Sequence, residues 1–220
     1  MYKNFFKRFF DFTLSFSAIL ILIPFLIPIV VVLLFTGEHY VFYLQERIGF
    51  KNKKFNIIKF ATMLKNSPNM GDGLHTQKND PRILPLGSFL RKTKINELPQ
   101  LINILNSSMS IVGPRPLVDK TFKPYSQKVK KNIYNVKPGL TGIGSIVFRD
   151  EEELLSQTDL PLDQFYKNHI SPYKGELELW YQNNVSLSTD FLIIMITALT
   201  LFFPNNKLVY IIFKDLPKRK

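Results

Sequence analysis

The sequence predicts a mixed α+β fold that is mainly helical, with one apolar helix in the membrane and a small cytoplasmic domain beside it. Residues 12–35 contain no charged side chain, and about 20 consecutive apolar residues are enough for a membrane helix. Residues 41–44 and 54–60 have the composition of short strands. Apolar residues then recur at helical spacing and predict one buried helix face; they are Leu98, Leu101, Ile102 and Leu105.

The flanks of the apolar segment indicate how it meets the bilayer. Basic residues both precede and follow it, so the positive-inside rule draws both ends to the cytoplasmic face. Pro24 and Pro28 lie in its middle, where each removes a backbone hydrogen bond and can bend a helix. A re-entrant helix that enters, breaks near Pro24 and returns satisfies both observations. An ordinary kinked spanning helix stays open as the alternative, whereas the segment is too long for a cleaved signal peptide.

Composition limits the classes of partner. The chain of 220 residues carries a formal net charge of +12, which calls for nucleic acid, anionic headgroups or phosphorylated substrates. The absence of cysteine excludes disulfides, thiolate zinc sites and a cysteine nucleophile. Twenty phenylalanines and nine tyrosines favour contact with lipid. Since no nucleic-acid-binding motif is recognisable in the sequence, we expect no nucleic-acid partner.

We divide the chain into a membrane helix at residues 1–37, a cytoplasmic domain at residues 38–187 and an apolar helix with a basic tail at residues 188–220. Within the domain, residues 49–52 resemble a turn and residues 66–80 a loop. Residues 165–181 predict a helix that is interrupted at Pro172 and belongs to the core. Residues 191–203 are apolar but short for a span, so we expect an interfacial helix or one packed on the domain.

Asn96 and Glu97 stand just before the predicted helix, and two interpretations of them are open. Asparagine is a preferred N-cap, and a carboxylate in the first turn is stabilised by the helix dipole, so both residues could be structural. They also lie in the stretch from Arg82 to Arg115, which holds the densest cluster of chemically suggestive residues. A catalytic role is the second interpretation.

The loop formed by Gly113, Pro114 and Arg115 indicates a ligand. Glycine allows close approach of the backbone, and the neighbouring prolines restrict the loop. An arginine held in this way suits bidentate binding of a phosphate. Further positive charge around a diphosphate could come from Arg47, Lys59, Arg82 and Arg91. The histidines lack neighbouring ligand-type residues and are expected to be non-catalytic; they are His39, His75 and His169.

Six blocks of sequence resemble the small monotopic phosphoglycosyl transferases, the bacterial sugar transferase family that initiates glycan assembly on undecaprenyl phosphate. Their order and spacing follow the family as far as about residue 144, which is about two thirds of the chain. The blocks are QERIG at residues 45–49, KFATM at 59–63, DPR at 80–82, RKTKINELPQL at 91–101, MSIVGPRP at 109–116 and KPGLTG at 137–142.

The resemblance implies a re-entrant helix broken at Pro24 and a catalytic domain on the cytoplasmic face of the bacterial inner membrane. It implies that a UDP-sugar and undecaprenyl phosphate give a polyprenyl diphosphosugar and UMP, with Mg²⁺, at the first membrane step of capsule, exopolysaccharide, O-antigen or glycoprotein assembly. Glu97 matches the family's catalytic and metal-binding glutamate, and Arg115 matches the arginine that holds substrate phosphate. Downstream glycosyltransferases are the implied partners, and a homodimer is compatible with the resemblance.

Two positions depart from the family pattern. Asn96 occupies the position of the aspartate that attacks the sugar-linked phosphate, and Ile23 replaces a serine before the membrane proline. A neutral amide is a poor nucleophile and a weaker magnesium ligand than a carboxylate. Direct transfer between the two substrates is the explanation we favour. The alternatives are a nucleophile at Asp80, deamidation of Asn96, or a catalytically silent homologue that binds nucleotide sugar or a partner transferase.

Overall fold

The computed structural model describes residues 2–70, 80–203 and 207–219. Helices predominate in this part of the chain and the strands form small two-stranded sheets, so the prediction of a mixed, mainly helical fold is confirmed. The helices are α1 Lys7–Phe35, α2 Pro85–Lys92, α3 Gln100–Leu105, α4 Asp119–Phe122, α5 Gln127–Asn132, α6 Ile143–Val147, α7 Glu151–Ser156, α8 Leu162–Phe165, α9 Ser171–Asn183, α10 Leu187–Phe202 and α11 Leu208–Ile212. The strands are β1 Phe42–Ile48, β2 Lys54–Phe60, β3 Ser110–Val112 and β4 Gly139–Thr141.

The first two strands form an antiparallel hairpin in which Phe42 pairs with Phe60 and Ile48 pairs with Lys54. The predicted turn at residues 49–52 is confirmed, and a Cβ on Gly49 would lie 2.6 Å from the ring of Phe55. The first strand is longer than the prediction of residues 41–44. Its second half contains the polar residues Gln45, Glu46 and Arg47, which hid the strand from a search for apolar residues.

The other two strands are parallel and bring two glycine-containing loops into direct contact. Ser110 pairs with Gly139, and Val112 pairs with Thr141. A Cβ on Gly113 would lie 2.3 Å from the carbonyl oxygen of Lys137, and one on Gly139 would lie 2.1 Å from the amide nitrogen of Gly113. The space that Gly113 leaves is therefore filled by the protein's own backbone.

Helix α1 continues without interruption from Lys7 to Phe35, with Pro24 and Pro28 inside it. The secondary structure therefore has no break at Pro24, and the re-entrant path stays a prediction. The helix is long and apolar enough to cross a membrane, and only 6% of its most apolar window is buried. The core helix of a soluble protein would be mostly buried, so this exposure favours contact with lipid. One stripe of α1 packs on the domain, through Ala18, Ile19, Leu22, Leu26, Ile29, Val30 and Leu33.

The buried face of α3 differs from the one predicted. Leu101 and Ile104 are buried, whereas Ile102 is 44% exposed. Asn103 takes a buried position instead: its Oδ1 accepts the backbone N–H of Ile58 at 2.9 Å, and its Nδ2 donates to the carbonyl of residue 56 at 2.8 Å. A polar side chain faces inward here because it completes the open edge of β2.

The core of the domain is built around α9 and α10. Their fully buried side chains include Leu177, Tyr181, Ile193 and Ile196, so the prediction that residues 165–181 belong to the core is confirmed. The helical run does not stop at Pro172, which lies in the first turn of α9. Proline is tolerated there because amides of the first turn have no helical acceptor.

The carboxy-terminal apolar helix packs on the domain, which is one of the two predicted alternatives, and its interfacial position stays a prediction. Ile193 and Ile196 of α10 pack into the core, whereas the opposite face of the helix is exposed. The tip of α11 adds further exposed apolar side chains. These exposed residues are Phe191, Met195, Leu199, Phe202, Phe203, Tyr210, Ile211 and Ile212. A surface of this composition suits the membrane interface.

A buried polar cluster ties the start of α1 to the domain. The Nζ atom of Lys7 lies 2.5 Å from Oδ2 of Asp190 and donates to the carbonyl of Val112 at 2.9 Å. The hydroxyl of Tyr181 lies 2.7 Å from the other carboxylate oxygen of Asp190. Arg8 extends the attachment by donating to the carbonyls of residues 104 and 105. The membrane helix and the strand that leads to Arg115 are therefore joined directly.

We expect Lys7→Met to destabilise the protein strongly, because Asp190 would be left as a buried carboxylate without its cation. Loss of one partner of a buried pair costs about 3–5 kcal/mol, which lowers Tm by roughly 6–20 °C for a chain of this size. Thermal unfolding in detergent measures the change. Lys54→Met is the matched control, since the Lys54–Glu46 pair is exposed and exposed pairs contribute little. Equal Tm shifts in the two variants would contradict a stabilising role of the buried Lys7–Asp190 pair.

Candidate active site

Three segments bring most of the predicted site residues together. Arg47 and Lys59 lie on β1 and β2 of the hairpin, and Arg115 follows β3. Glu97 ends a single 3-10 turn, Ile95–Glu97, which follows α2. Lys94 begins this turn in the left-handed backbone region with a φ of 60°. The turn and the loop after β3 therefore approach the hairpin from separate parts of the chain.

The centre of the site is an ion pair between Arg115 and Glu97. Nη2 of Arg115 donates to Oε1 at 2.7 Å, and Nη1 donates to Oε2 at 3.3 Å. This two-pronged contact is the geometry with which arginine binds carboxylates and phosphates. Nζ of Lys59 lies 3.8 Å from Oε1 of the same carboxylate. The side chain of Arg115 is 34% exposed against 13% for Glu97, so a ligand from outside can reach the guanidinium.

Positive charge exceeds negative charge around Glu97. Burial, joined by the charges of Arg47, Arg115 and Arg91, lowers the pKa of Lys59 to about 7 although Glu97 opposes them. Burial alone would raise the pKa of Glu97, but Arg115 and Lys59 outweigh burial and hold that pKa well below its usual range. A single carboxylate beside a lysine normally helps it keep its proton. Burial is the largest cause of the lowered pKa of Lys59, and the three arginines add to it, so Glu97 alone does not balance the cations around it.

Arg47 is oriented by acceptors of the protein. Its Nη1 donates to the carbonyl of Pro116 at 3.1 Å, and its Nη2 donates to Oε1 of Gln45 at 2.5 Å. Burial, with the charge of Arg115, lowers the pKa of Arg47 to about 10, so the guanidinium stays charged at neutral pH. Arg91 lies within electrostatic range of Lys59. Both arginines thus belong to the cationic group, as the sequence predicted.

The backbone of residues 112–117, which we call the arginine loop, is bound from several sides. Its amides and carbonyls pair with β4, with the hairpin, with α1 and with a buried tyrosine. The bonds run from Lys7 Nζ to Val112 O, from Gly113 N to Thr141 O, from Gly139 N to Pro114 O, from Tyr134 Oη to Arg115 O, from Arg47 Nη1 to Pro116 O, from Leu117 N to Tyr134 Oη and from Ile48 N to Leu117 O. The loop is therefore rigid, and it presents Arg115 in one position.

Asn96 lies next to this pair but does not cap a helix. It lies inside the 3-10 turn, and α3 begins only at Gln100 with Pro99 before it; the interpretation as an N-cap is therefore wrong. A proline at the start supplies the helix with a residue that needs no acceptor. The side chain of Asn96 is 6% exposed, and its Oδ1 has no hydrogen-bond partner among the described residues. A buried acceptor without a donor is costly, which makes Asn96 a candidate for contact with a ligand.

Arg82 differs from the other predicted cations because its carboxylate partner is Asp80. Its Nε and Nη2 contact the two carboxylate oxygens of Asp80 at 2.6–3.1 Å, and its Nη1 donates to the carbonyls of Ser67 and Met70. It is also buried. Through these contacts, Arg82 connects the segment before α2 to the loop near residue 70. Most of the predicted loop at residues 66–80 lies outside the described residues.

The histidines that the structure describes lie apart from the cluster. Nδ1 of His39 contacts the carbonyl of Leu34 at 3.0 Å, and His169 packs against the ring of Phe165. His75 lies outside the described residues. That His39 and His169 are not catalytic stays a prediction.

Sequence reasoning missed three residues that shape the site. Lys94 helps to keep the pKa of Glu97 low, Tyr134 bonds to the arginine loop, and Glu178 receives a backbone hydrogen bond from Arg115. Lys94 could have been found, because it lies three residues before Glu97 in a matching block. The other two act across long sequence separations and carry no local signal.

Comparison with known proteins identifies relatives of the whole chain. The family model described as "Bacterial sugar transferase" matches residues 2–204. A UDP-galactose-lipid carrier transferase of Erwinia amylovora is 32% identical over 86% of this chain and 42% of that protein. An undecaprenyl-phosphate glucose phosphotransferase of Komagataeibacter xylinus is 34% identical over 70% of this chain and 30% of that protein. The exopolysaccharide production protein PSS of Rhizobium leguminosarum is 31% identical over 88% of this chain and 94% of that protein.

The chain thus spans less than half the length of the first two relatives and nearly all of the third. The similarity covers α1, the hairpin, the turn that carries Glu97 and the arginine loop, since all of them lie within residues 2–204. A match of that extent, together with identities above 30%, establishes that this chain belongs to the bacterial sugar transferase family.

Proposed function

We propose that this protein transfers a sugar phosphate from a UDP-sugar to undecaprenyl phosphate, giving a polyprenyl diphosphosugar and UMP. The observation that carries the proposal is the excess of cations around Glu97: Nη2 of Arg115 lies 2.7 Å and Nζ of Lys59 lies 3.8 Å from its carboxylate, and Arg47 lies within electrostatic range of it. A diphosphate relieves such an excess through charge-assisted hydrogen bonds. The printed names of two relatives, a UDP-galactose-lipid carrier transferase and an undecaprenyl-phosphate glucose phosphotransferase, support the choice of both substrates.

The proposed location is the cytoplasmic face of the bacterial inner membrane, with α1 re-entering on the side from which it came. Both ends of α1 support this path because both are attached to the same domain. Lys7 donates to the carbonyl of Val112 near the start, and Leu33 packs with Phe60 and Leu90 near the end. A spanning helix would carry its ends to opposite sides of a hydrocarbon core about 30 Å thick.

In the proposed reaction, a phosphate oxygen of the polyprenyl carrier attacks the sugar-bearing phosphorus of the UDP-sugar. The bond from that phosphorus to the bridging oxygen breaks, and UMP leaves with the oxygen and the electron pair. Phosphoryl transfer of this kind depends chiefly on positioning and on stabilising charge. Arg115 is assigned to a phosphate of the donor by its two-pronged geometry, and Lys59 and Arg47 supply the remaining positive charge.

We include Mg²⁺ in this proposal, and the oxygen atoms at Glu97 and Asn96 fit an ion that is held partly by the protein and partly by substrate phosphates. Within residues 2–70, 80–203 and 207–219, no three His, Cys, Asp or Glu side chains form a metal cluster. Mg²⁺ is usually held by one or two carboxylates together with substrate phosphates. Glu97 offers carboxylate oxygens, and Oδ1 of Asn96, which has no hydrogen-bond partner in the part of the chain that the structure describes, could add another oxygen ligand. Bound there, the ion would neutralise charge on the transferred group.

Direct transfer is the mechanism we favour, because residue 96 offers an amide where a covalent route needs a carboxylate. Asp80, the alternative nucleophile, is already held by Arg82 through both of its oxygens. Deamidation of Asn96 would restore the covalent route. A silent homologue that binds nucleotide sugar or a partner transferase is the second candidate function, and the neutral side chain of Asn96 is the observation that favours it.

The reaction would be the first membrane step of a bacterial glycan pathway, whose product is the acceptor for downstream glycosyltransferases. The name of the exopolysaccharide production protein of Rhizobium leguminosarum supports a role in exopolysaccharide synthesis. The homodimer stays a prediction.

We expect Glu97→Gln to lower the rate of UMP release by at least about 100-fold, because an amide cannot balance Arg115 and Lys59 or offer a carboxylate to a metal. The assay supplies a panel of UDP-sugars with undecaprenyl phosphate in detergent. Glu46→Gln is the matched control, since Glu46 is exposed and pairs with Lys54. A rate for Glu97→Gln within about threefold of the wild type would contradict the assignment, since loss of a group that stabilises the transition state costs far more.

Asn96→Asp separates the mechanisms. For direct transfer we expect the wild type to turn over with sequential kinetics, since both substrates must be bound together. Asn96→Asp restores a carboxylate that can open a covalent route, for which ping-pong kinetics are the signature. Initial rates over a matrix of both substrates distinguish the two, and peptide mapping verifies that residue 96 is still asparagine in the wild type. An inert wild type with an active Asn96→Asp would instead establish the silent homologue.

The lowered pKa of Lys59 predicts a pH dependence of substrate binding. Lys59 loses its proton as pH rises through about 7 in the free protein, so affinity for a UDP-sugar should fall above that pH. A nucleotide sugar has no terminal phosphate that titrates in this range, which leaves the change to the protein. Lys59→Arg should flatten the profile, because arginine stays charged. Isothermal titration from pH 6 to pH 9 measures the effect, and parallel profiles for the two proteins would refute it.

A further inference from the structure

Behind the arginine loop lies a buried acid that the proposed reaction does not use. Glu178 of α9 is 2% exposed, and its Oε2 has no hydrogen-bond partner among the described residues. Its carboxyl group receives a hydrogen bond from the backbone of Arg115. A buried polar group without full pairing is costly, and here it contacts the residue that the proposed function assigns to phosphate.

The shape of the pocket around Glu178 depends on Gly144 in α6. A Cβ on Gly144 would lie 2.3 Å from Oε1 and 3.1 Å from Cδ of Glu178. Only glycine leaves room for this carboxyl group in its present position. Since Gly144 has no positive φ, the need for glycine comes from the close approach of Glu178 and not from the backbone conformation.

Glu178 is not a counterion in this pocket. Lys174 lies one helical turn away, but its ammonium group pairs with Glu151 of α7. Burial raises the pKa of Glu178 to about 8, although Lys174 and the backbone of Arg115 oppose the rise. The other titratable groups that sense its charge are the buried hydroxyls of Tyr125 and Tyr134. Glu178 is therefore mostly protonated at neutral pH and acts by shape and hydrogen bonding.

The peptide of Arg115 is held on both sides. Its N–H bonds to Glu178, and its carbonyl oxygen accepts the hydroxyl proton of Tyr134 at 2.9 Å. Tyr134 also accepts the N–H of Leu117 at 2.9 Å. With the peptide fixed in this way, the guanidinium of Arg115 is directed to Glu97. The position of the side chain thus depends on groups that never touch a substrate.

We propose that Glu178 is a positioning residue, matched in size to Gly144, which holds the backbone of Arg115 so that its guanidinium meets the donor phosphate. This inference rests on the proposed function for its choice of ligand. Glu178 acts through Arg115 and contacts no reacting atom.

A double-mutant cycle tests the match between the two side chains. Gly144→Ala should push the carboxyl group of Glu178 off the loop, and Glu178→Asp should retract it by one methylene. Each single change is expected to weaken UDP-sugar binding and to lower kcat/KM by about 10-fold or more, since small displacements of positioning groups are costly. Because both changes remove the same hydrogen bond to the backbone of Arg115, the double variant should lose no more than the larger of the two single losses.

Two controls separate positioning from stability. Gly175→Ala introduces a methyl group on α9, the helix that also carries Glu178. The new Cβ would lie 2.9 Å from Val129 and 3.1 Å from Tyr125, so the change should lower Tm and leave UDP-sugar affinity unchanged. Glu178→Gln keeps the size and the neutral state, so it should retain affinity and rate. Effects of Gly144→Ala and Glu178→Asp that simply add, or a loss of affinity in Gly175→Ala equal to theirs, would overturn the proposal.

Measuring UDP-sugar binding separates the test of Glu178 from the test of the proposed reaction. The affinity for a UDP-sugar is measured by isothermal titration without acceptor, so it needs no turnover. If the wild type binds without releasing UMP, the proposed reaction fails while the cycle still reports on Glu178. If the wild type turns over but affinity and kcat/KM are constant across the cycle, the positioning role fails alone.

Discussion

The arginine loop is the element on which the rest of the site depends. Residues 113–117 follow β3 without forming a helix or strand, yet the backbone groups of residues 112–117 bond to α1, β1, β4 and Tyr134. A loop held so completely loses little further freedom when a ligand binds, and preorganised donors stabilise charge without rearrangement. The glycines of this region make that arrangement possible, because Gly113 and Gly139 let two backbones touch. The loop is therefore rigid because of long-range contacts, and its prolines contribute only part of the rigidity.

A rigidly held Arg115 brings its positive charge close to other cations, and the carboxylate of Glu97 balances part of this charge when no substrate is bound. Burial lowers the pKa values of Lys59 and Arg47, and repulsion by the charge of Arg115 lowers both further. Glu97 balances only one of these cations. Since its carboxylate engages Arg115 in the two-pronged geometry that a phosphate would use, Glu97 stands where an anionic ligand would compete. Exchange of this carboxylate for phosphate is the step through which the proposed substrates would enter.

Sequence reasoning found the parts of the site whose signals are local. The hairpin, the apolar helix and the proximity of Glu97 and Arg115 followed from composition or from matching blocks. It failed where a distant contact decides the outcome. Ile102 was assigned to the core, whereas Asn103 turns inward because β2 offers it unpaired backbone groups. Glu178 could not be found, because its contact with Gly144 joins residues that lie far apart in the sequence.

At the backbone carbonyl of Val112, helix α1 is attached to the loop that carries Arg115. Lys7 of the membrane helix and Tyr181 of the core both bond to the oxygen of Val112, and Arg115 lies three residues further along the same rigid loop. Under the proposed function, the acceptor phosphate arrives at a depth that its headgroup sets, so the cationic site must lie at a fixed height relative to the lipid. Two buried contacts at Val112 set that height more reliably than a flexible linker, since a linker would let the domain tilt. The buried Lys7–Asp190 pair is then retained for geometry, which explains why a charge that is costly to bury is present beside a membrane helix.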